Sequence, residues 1–199
     1  MKKPIIVACA TLCGFAALAA IEPQVDANGN MTFTVSEGAA ETYAGVIEGE
    51  GITVVKRGKG ALTLTGVNTF TGELRIEEGT LTTSADAHPG KPKLVVLNGA
   101  TFESAGGGAA WGTLSFESIS IEGAGVNGNG AFVRKSGTSI RQKKQPPMTL
   151  TGGATINFTI AHNPGAVSLN GYTLTKIGKG NWDAYETGAV SANLDRDGS

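Results

Sequence analysis

The sequence predicts an all-β fold built by stacking, and three observations carry that expectation. Short runs alternate apolar and polar residues with a period of two, as in Met31-Phe33-Val35, Leu62-Leu64, Leu74-Ile76, Leu114-Phe116, Ile119-Ile121 and Ile156-Phe158-Ile160, with Phe102 and Leu174 in shorter stretches. Such alternation marks strands with one buried face. The spacers are Asn98-Gly99, Gly106 to Gly108, Asn127-Gly128 and Asn170-Gly171, residues that accept positive φ and turn the chain sharply. Finally, Lys56-x-Gly58-Lys59-Gly60 returns 120 positions later as Lys176-x-Gly178-Lys179-Gly180, each copy with a Thr three residues upstream, Thr53 and Thr173. An echo of this kind implies that one structural repeat is completed and a second begun, each unit needing its neighbour to bury an apolar edge.

The chain opens with the pattern of a secretory signal at residues 1–19. Lys2 and Lys3 form a basic start, Ile5 to Leu18 is mostly apolar but too short to span a membrane, and Ala17-Leu18-Ala19 is a small-x-small cleavage site. Cleavage there starts the mature chain near Ala20 and removes both cysteines, Cys9 and Cys13, so the exported protein has no disulfide. A lipobox at Ile6-Val7-Ala8-Cys9 would leave only about four apolar residues before the cysteine, short of a signal core.

About 180 residues then remain, enough for a single domain that buries roughly 70% of its unfolded-chain surface. A formal net charge of −1 argues against nucleic acid as a partner, because counterion release needs a cationic face. Membrane contact is expected only through secretion. Glycine, 30 of 199 residues, is about twice its average frequency, and no amphipathic helix is visible beyond the signal.

Two arrangements fit short strands punctuated in this way. A β-sandwich reverses neighbouring strands through hairpins, whereas a solenoid passes each strand to the next face and stacks coil on coil. The rhythm from Leu62-Leu64 to Leu74-Ile76 to Leu81 suits the solenoid. At roughly 20 to 25 residues per coil the mature chain would make about seven or eight coils, a rod about 35 to 40 Å long at about 4.8 Å per coil.

The stretch from Gly58 to Leu81 closely resembles the autotransporter-associated β-strand repeat, also called the passenger-associated transport repeat. Gly58, Gly60, Leu62, Leu64, Gly66, Asn68, Phe70, Gly72, Leu74, Ile76, Gly79 and Leu81 fall on its pattern, and Gly178 and Gly180 begin a second copy. The segments Ile119 to Phe132 and Asn170 to Trp182 are similar to those between repeats in long surface proteins of Gram-negative and Verrucomicrobia-like bacteria. The resemblance implies a right-handed parallel β-helix displayed outside the cell, often as the passenger of a type V secreted protein. It assigns residues 20–51 to an N-terminal cap and first coil, 52–182 to the β-helix, and 183–199 to a C-terminal cap or truncated repeat. Leu62 and Leu64 would stack inside, Thr63 and Thr65 would form an outward polar ladder, and Asn68 would make an Asx-turn or an amide ladder. The pattern departs from self-secreting members at its end. No translocator barrel follows, and Asn181-Trp182-Asp183-Ala184 stands where Ala61-Leu62-Thr63-Leu64 stood. Either Trp182 and Tyr185 cap a stand-alone member, or the copy is truncated.

The candidate chemistry is sparse. His88 and His162, both in proline-flanked stretches, lack a nucleophile elbow or placing motif and read as solvated loop residues. Glu77 and Glu78 are neighbours that a strand would point to opposite faces, unsuited to paired acid chemistry. Asp195-x-Asp197-Gly198 lacks the later ligands of an EF-type loop. No catalytic, metal or cofactor site is therefore expected, and the rival reading is a carbohydrate-active β-helix enzyme or a secreted glycan-binding sandwich. Trp111 suits corner packing beside Gly106 to Gly108, with sugar stacking as the alternative. Arg134, Lys135, Arg141, Lys143 and Lys144 crowd eleven positions ahead of Pro146-Pro147. Such a run reads as a solvated loop. Its functional form is a basic fringe that touches host or bacterial surface glycans, lipopolysaccharide or a neighbouring subunit of a longer surface assembly, at about 1 kcal/mol per basic residue. The whole then reads as a secreted or outer-surface adhesin module of a Gram-negative-type bacterium.

Overall fold

A computed structural model describes residues 20–84, 88–105, 115–134, 146–159 and 165–180. Glycine-rich corners divide these residues into two columns of stacked strands. The first column runs through β2 (Met31–Thr34), β4 (Ile52–Arg57), β6 (Gly72–Ile76), β8 (Lys93–Val96), β10 (Ile119–Gly123), the first half of β12 (Met148–Phe158) and β13 (Val167–Ser168). The second runs through β3 (Ala40–Tyr43), β5 (Ala61–Leu64), β7 (Thr80–Ser84), β9 (Thr101–Ala105), β11 (Phe132–Arg134), the second half of β12 and β14 (Leu174–Ile177). Each column holds seven strand levels, so the described residues make six coil-to-coil steps, about 29 Å at about 4.8 Å per step.

All these pairings are parallel, which excludes the β-sandwich and its antiparallel hairpin ladders. Among the described residues the one antiparallel pair is β1 (Gln24–Val25) on β2, a short hairpin beside the first strand of the first column. Its turn is held by Asp26, whose carboxylate accepts from the Asn28 and Asn30 amides. Register partners lie 20 residues apart at Val54 and Leu74, 25 at Leu94 and Ile119, and 29 at Ile119 and Met148. Coil length thus rises to 29 residues and falls again to 19 between Met148 and Val167, while the strand columns stay aligned.

The core sits between the columns, because alternate residues of every strand point inward. In the second column one inward line begins at Glu41, passes through Leu62, Leu81, Phe102, Phe132 and Ile156, and ends at Lys176. The ring of Phe102 meets those of Phe116 and Phe132 at 5.4 Å, and Phe132 meets Phe158 at 5.8 Å, so aromatic contacts bind successive coils. Many outward positions are polar, and Thr42, Thr63 and Thr82 stand in one line, as the alternation predicts, although Val55, Val95 and Val133 also take outward positions.

Corners explain two of the glycines. Gly58 has φ +74°, and Gly79 has φ +67° with its α-carbon so close to the carbonyls of Gly60 and Gly58 that a β-carbon would strike them. Only glycine permits that dihedral and that approach together.

The echo of Lys56-x-Gly58-Lys59-Gly60 is not the period of the stack. Lys56 is the next-to-last residue of a strand of the first column, whereas Lys176 lies in the second. The same corner chemistry is used on two different columns, and the structural period is the coil of about 20 residues.

Candidate functional site

The densest set of specific contacts lies between residues 54 and 82, where the sequence carries its strongest pattern. Lys56 occupies an inward position next to the corner and is only 1% exposed. Its ammonium donates to the carbonyls of Arg57 at 3.0 Å, Gly58 at 2.6 Å and Glu78 at 3.0 Å. The first two belong to its own corner, and the third belongs to the next coil. Burial pushes its pKa down to about 8, with the Glu78 carboxylate pulling the other way. The lysine is therefore a clamp between coils. Lys176 repeats the local half of the arrangement, donating to the Gly178 carbonyl at 2.8 Å and to that of Ile177 at 3.4 Å.

Asn68 stitches the third side of the coil. It is fully buried, its amide nitrogen donates to the Gly66 carbonyl at 3.1 Å, and its oxygen accepts from the Ile47 N–H of the preceding coil at 2.9 Å. These bonds are neither the Asx-turn nor the Asn–Asn amide ladder expected from the sequence: the side chain bonds to backbone groups, one two residues back and one in the preceding coil. Leu62, Leu64, Phe70 and Leu81 are buried beside it, and Gly60, Gly66 and Gly72 each pass so near the preceding coil's backbone that a β-carbon would collide.

Outside the first column, charges form a ladder. Arg57 donates to Glu77 at 2.7 Å, and Arg75 reaches Glu73 at 3.3 Å and Glu77 at 3.4 Å. The Arg57 hydrogen bond holds the Glu77 carboxyl below its ordinary value, and Glu77 raises Arg57 in turn. Glu77 and Glu78 lie just past β6, in the corner, and Glu77 serves this ladder through its side chain while Glu78 serves Lys56 through its carbonyl.

Two expectations need correction. Arg134, counted with the solvated basic loop, is the last residue of β11 and is 2% exposed, facing inward in line with Ser104 and Phe158. Burial lowers its pKa to about 10. Lys135, Arg141, Lys143 and Lys144 lie outside the described residues, as do Trp111, His162 and residues 181–199. His88 is not a solvated loop residue either. It is 1% exposed, packed edge-on against Phe70 at 6.0 Å and tilted on Phe116 at 5.4 Å, and neither ring nitrogen has a hydrogen-bond partner among the described residues. Desolvation pushes its pKa down to about 4. Its surroundings are those of a core aromatic, not of a general base oriented by a carboxylate.

Comparison with known families matches residues 54–82 to the Passenger-associated-transport-repeat. The chain carries a passenger-associated transport repeat. The match spans the coil that holds the Lys56 clamp, the Asn68 stitch and the charge ladder, so the repeat's pattern is a description of coil-to-coil contacts. The adhesin BmaC autotransporter of Brucella suis biovar 1 (strain 1330) is 31% identical over 151 residues, 70% of this chain and 4% of that protein. The chain thus corresponds to a small part of the length of that adhesin. No solved structure matches it. The repeat and the stacked fold together are of passenger type.

Among the described residues, no three of the His, Cys, Asp and Glu side chains group as metal ligands would. Sequence reading missed Lys56 as a clamp although the lysine stood in its strongest motif. The available signal was a lysine at an apolar position of the alternation, beside a glycine corner.

Proposed function

We propose that the chain is a non-catalytic segment of a secreted, surface-displayed passenger, a stiff rod that carries adhesive loops away from the cell. The observation that carries this reading is the continuity of both strand columns and one core across seven levels, with the repeat at 54–82 supplying the coil-to-coil contacts. Likeness to an autotransporter adhesin supports display on the outer surface of a Gram-negative-type bacterium.

The ligands this reading assigns are anionic surface glycans or lipopolysaccharide, held by Lys135, Arg141, Lys143 and Lys144. In the sequence these residues lie between Arg134 and Met148, within a coil that takes 29 residues from Ile119 to Met148 where the coil from Val54 to Leu74 takes 20. Arg134 is left out of the contact set because it is buried. The test is binding to a glycan and lipopolysaccharide array at two salt concentrations, beside a variant with these four residues changed to Gln. Salt-sensitive binding that the variant loses supports adhesion through the basic loop. Binding that persists unchanged in the variant, or no binding by the parent, refutes it and leaves a spacer within a longer surface assembly.

A further inference from the structure

The third side of the solenoid is stitched unevenly. Residues 65–71 are tied to the preceding coil through their backbone. The N–H groups of Thr65, Thr69, Phe70 and Thr71 donate to the carbonyls of Tyr43, Ile47 and Gly49, with Ile47 accepting twice, and the Asn68 side chain adds its bond to Ile47. One coil later that system is missing. Glu73 pairs with Lys93, and five residues before them stand Asn68 and His88, so His88 takes the station of Asn68. Pro89 and Pro92 carry no N–H, and the Lys91 N–H turns back to the His88 carbonyl at 3.0 Å. Among the described residues, 88–92 make no backbone hydrogen bond to 65–71.

What holds 88–92 against the preceding coil is the His88 ring. It is 1% exposed, wedged between Phe70 of that coil and Phe116 of the next. Gly90 follows it in, passing so near the Thr69 and Phe70 carbonyls that a β-carbon would strike them. A neutral imidazole suits this place better than an imidazolium, whose two nitrogens would both be donors with no acceptor. Residues 65–71 carry no titratable side chain. Beside Phe116, Glu117 reaches outward to Lys93 at 3.9 Å, with both side chains more than half exposed, and Lys91 is exposed as well. Asp86 lies outside the described residues. Desolvation is the one cause that lowers the ring's pKa to about 4.

We propose that residues 88–92 form an acid-released seam in the rod: the uncharged His88 ring holds them against the preceding coil, and protonation of that ring frees them while the strand columns stay paired. This rests on the stacked fold and not on the glycan reading. Above pH 6.5 the neutral ring keeps the seam shut. The hold weakens as pH falls toward 4, because the released ring binds a proton that the packed ring does not. Opening breaks two bonds that can be followed singly, from the Lys91 N–H to the His88 carbonyl and from the Glu117 N–H to the Pro92 carbonyl.

Hydrogen exchange resolved at single amides, at pH 7.5 and 4.5 with and without dilute urea, tests this in the parent, His88→Phe, His88→Asn and Asp86→Asn. After correction for the intrinsic effect of pH, protection of the Lys91 and Glu117 amides is expected to fall about tenfold or more in the parent. That exchange should respond little to urea, as a small local opening requires. Both His88 variants, which cannot titrate there, are expected to keep the same protection at the two pH values, and Asp86→Asn is expected to behave as the parent. Urea-sensitive exchange of Lys91 and Glu117 at the rate of the β4 and β6 amides would mean that the ring is freed only by global unfolding, and overturns the inference. So does a parent unchanged by acid, an acid loss that either His88 variant retains, or one that Asp86→Asn abolishes.

Discussion

Lys56 shows how one side chain can make a stack of coils specific. A buried ammonium is costly unless its donors are used, and here three carbonyls, one of them from the following coil, use them. Lys56→Met keeps the apolar stem but leaves the Gly58 and Glu78 carbonyls without this donor, and is expected to cost about 2 kcal/mol, read as a lowered urea midpoint. Unchanged stability would show that water serves those carbonyls equally well. His88 gives the opposite case, a titratable ring held neutral by its surroundings. Its folded pKa of about 4 lies below the ordinary 6.5, so the unfolded chain binds the additional proton between these values. The contribution is complete above pH 6.5 and is lost as pH falls toward 4. Between pH 7.5 and 4.5 the parent is expected to lose about 2 to 3 kcal/mol more than His88→Phe. Urea titrations of both proteins across that range check it, and equal losses would mean that His88 finds a proton-stabilising partner in the folded chain.

At the scale of the element, the corner governs how closely coils stack. Gly79 combines a positive φ with contact against the corner above it, so Gly79→Ala demands both a strained backbone and a shift of the Gly60 carbonyl. A cost of about 2 kcal/mol or more is expected, measurable as a fall in thermal midpoint, whereas Gly38→Ala, which has positive φ but nothing near its β-position, isolates the dihedral part. Strand positions were legible in the sequence wherever alternation was clean. Leu62-Leu64, Leu74-Ile76 and Ile119-Ile121 all fall on strands with those residues buried. Alternation reports which face a side chain takes, but not which column its strand joins, and so the motif at Lys56 and Lys176 read as one repeat while serving two columns. Charged residues at inward positions were illegible for a related reason. The carbonyl that completes the Lys56 site comes from a residue 22 positions away, and the packing that buries Arg134 and His88 comes from other coils, so no local pattern signals either.

For the whole molecule, stacking supplies what a short chain lacks. Each coil buries its apolar face only against its neighbours, and the aromatic contacts, the Lys56 clamp and the Asn68 stitch all run between coils rather than within one. The site residues that define the repeat were therefore legible as a resemblance before their contacts were known. The parallel register itself is the claim on which the rod and the repeat depend. Cysteines at Thr63 and Thr82, in a chain with Cys9 and Cys13 changed to Ser, measure it directly, because outward residues one level apart, about 4.8 Å, fit the window for a disulfide. Rapid formation of an intramolecular Thr63→Cys/Thr82→Cys bridge, with none in the Thr63→Cys/Thr83→Cys pair whose second member is buried inward, is the expected result. Failure of the first pair, or equal bridging by both, would contradict the stacked register.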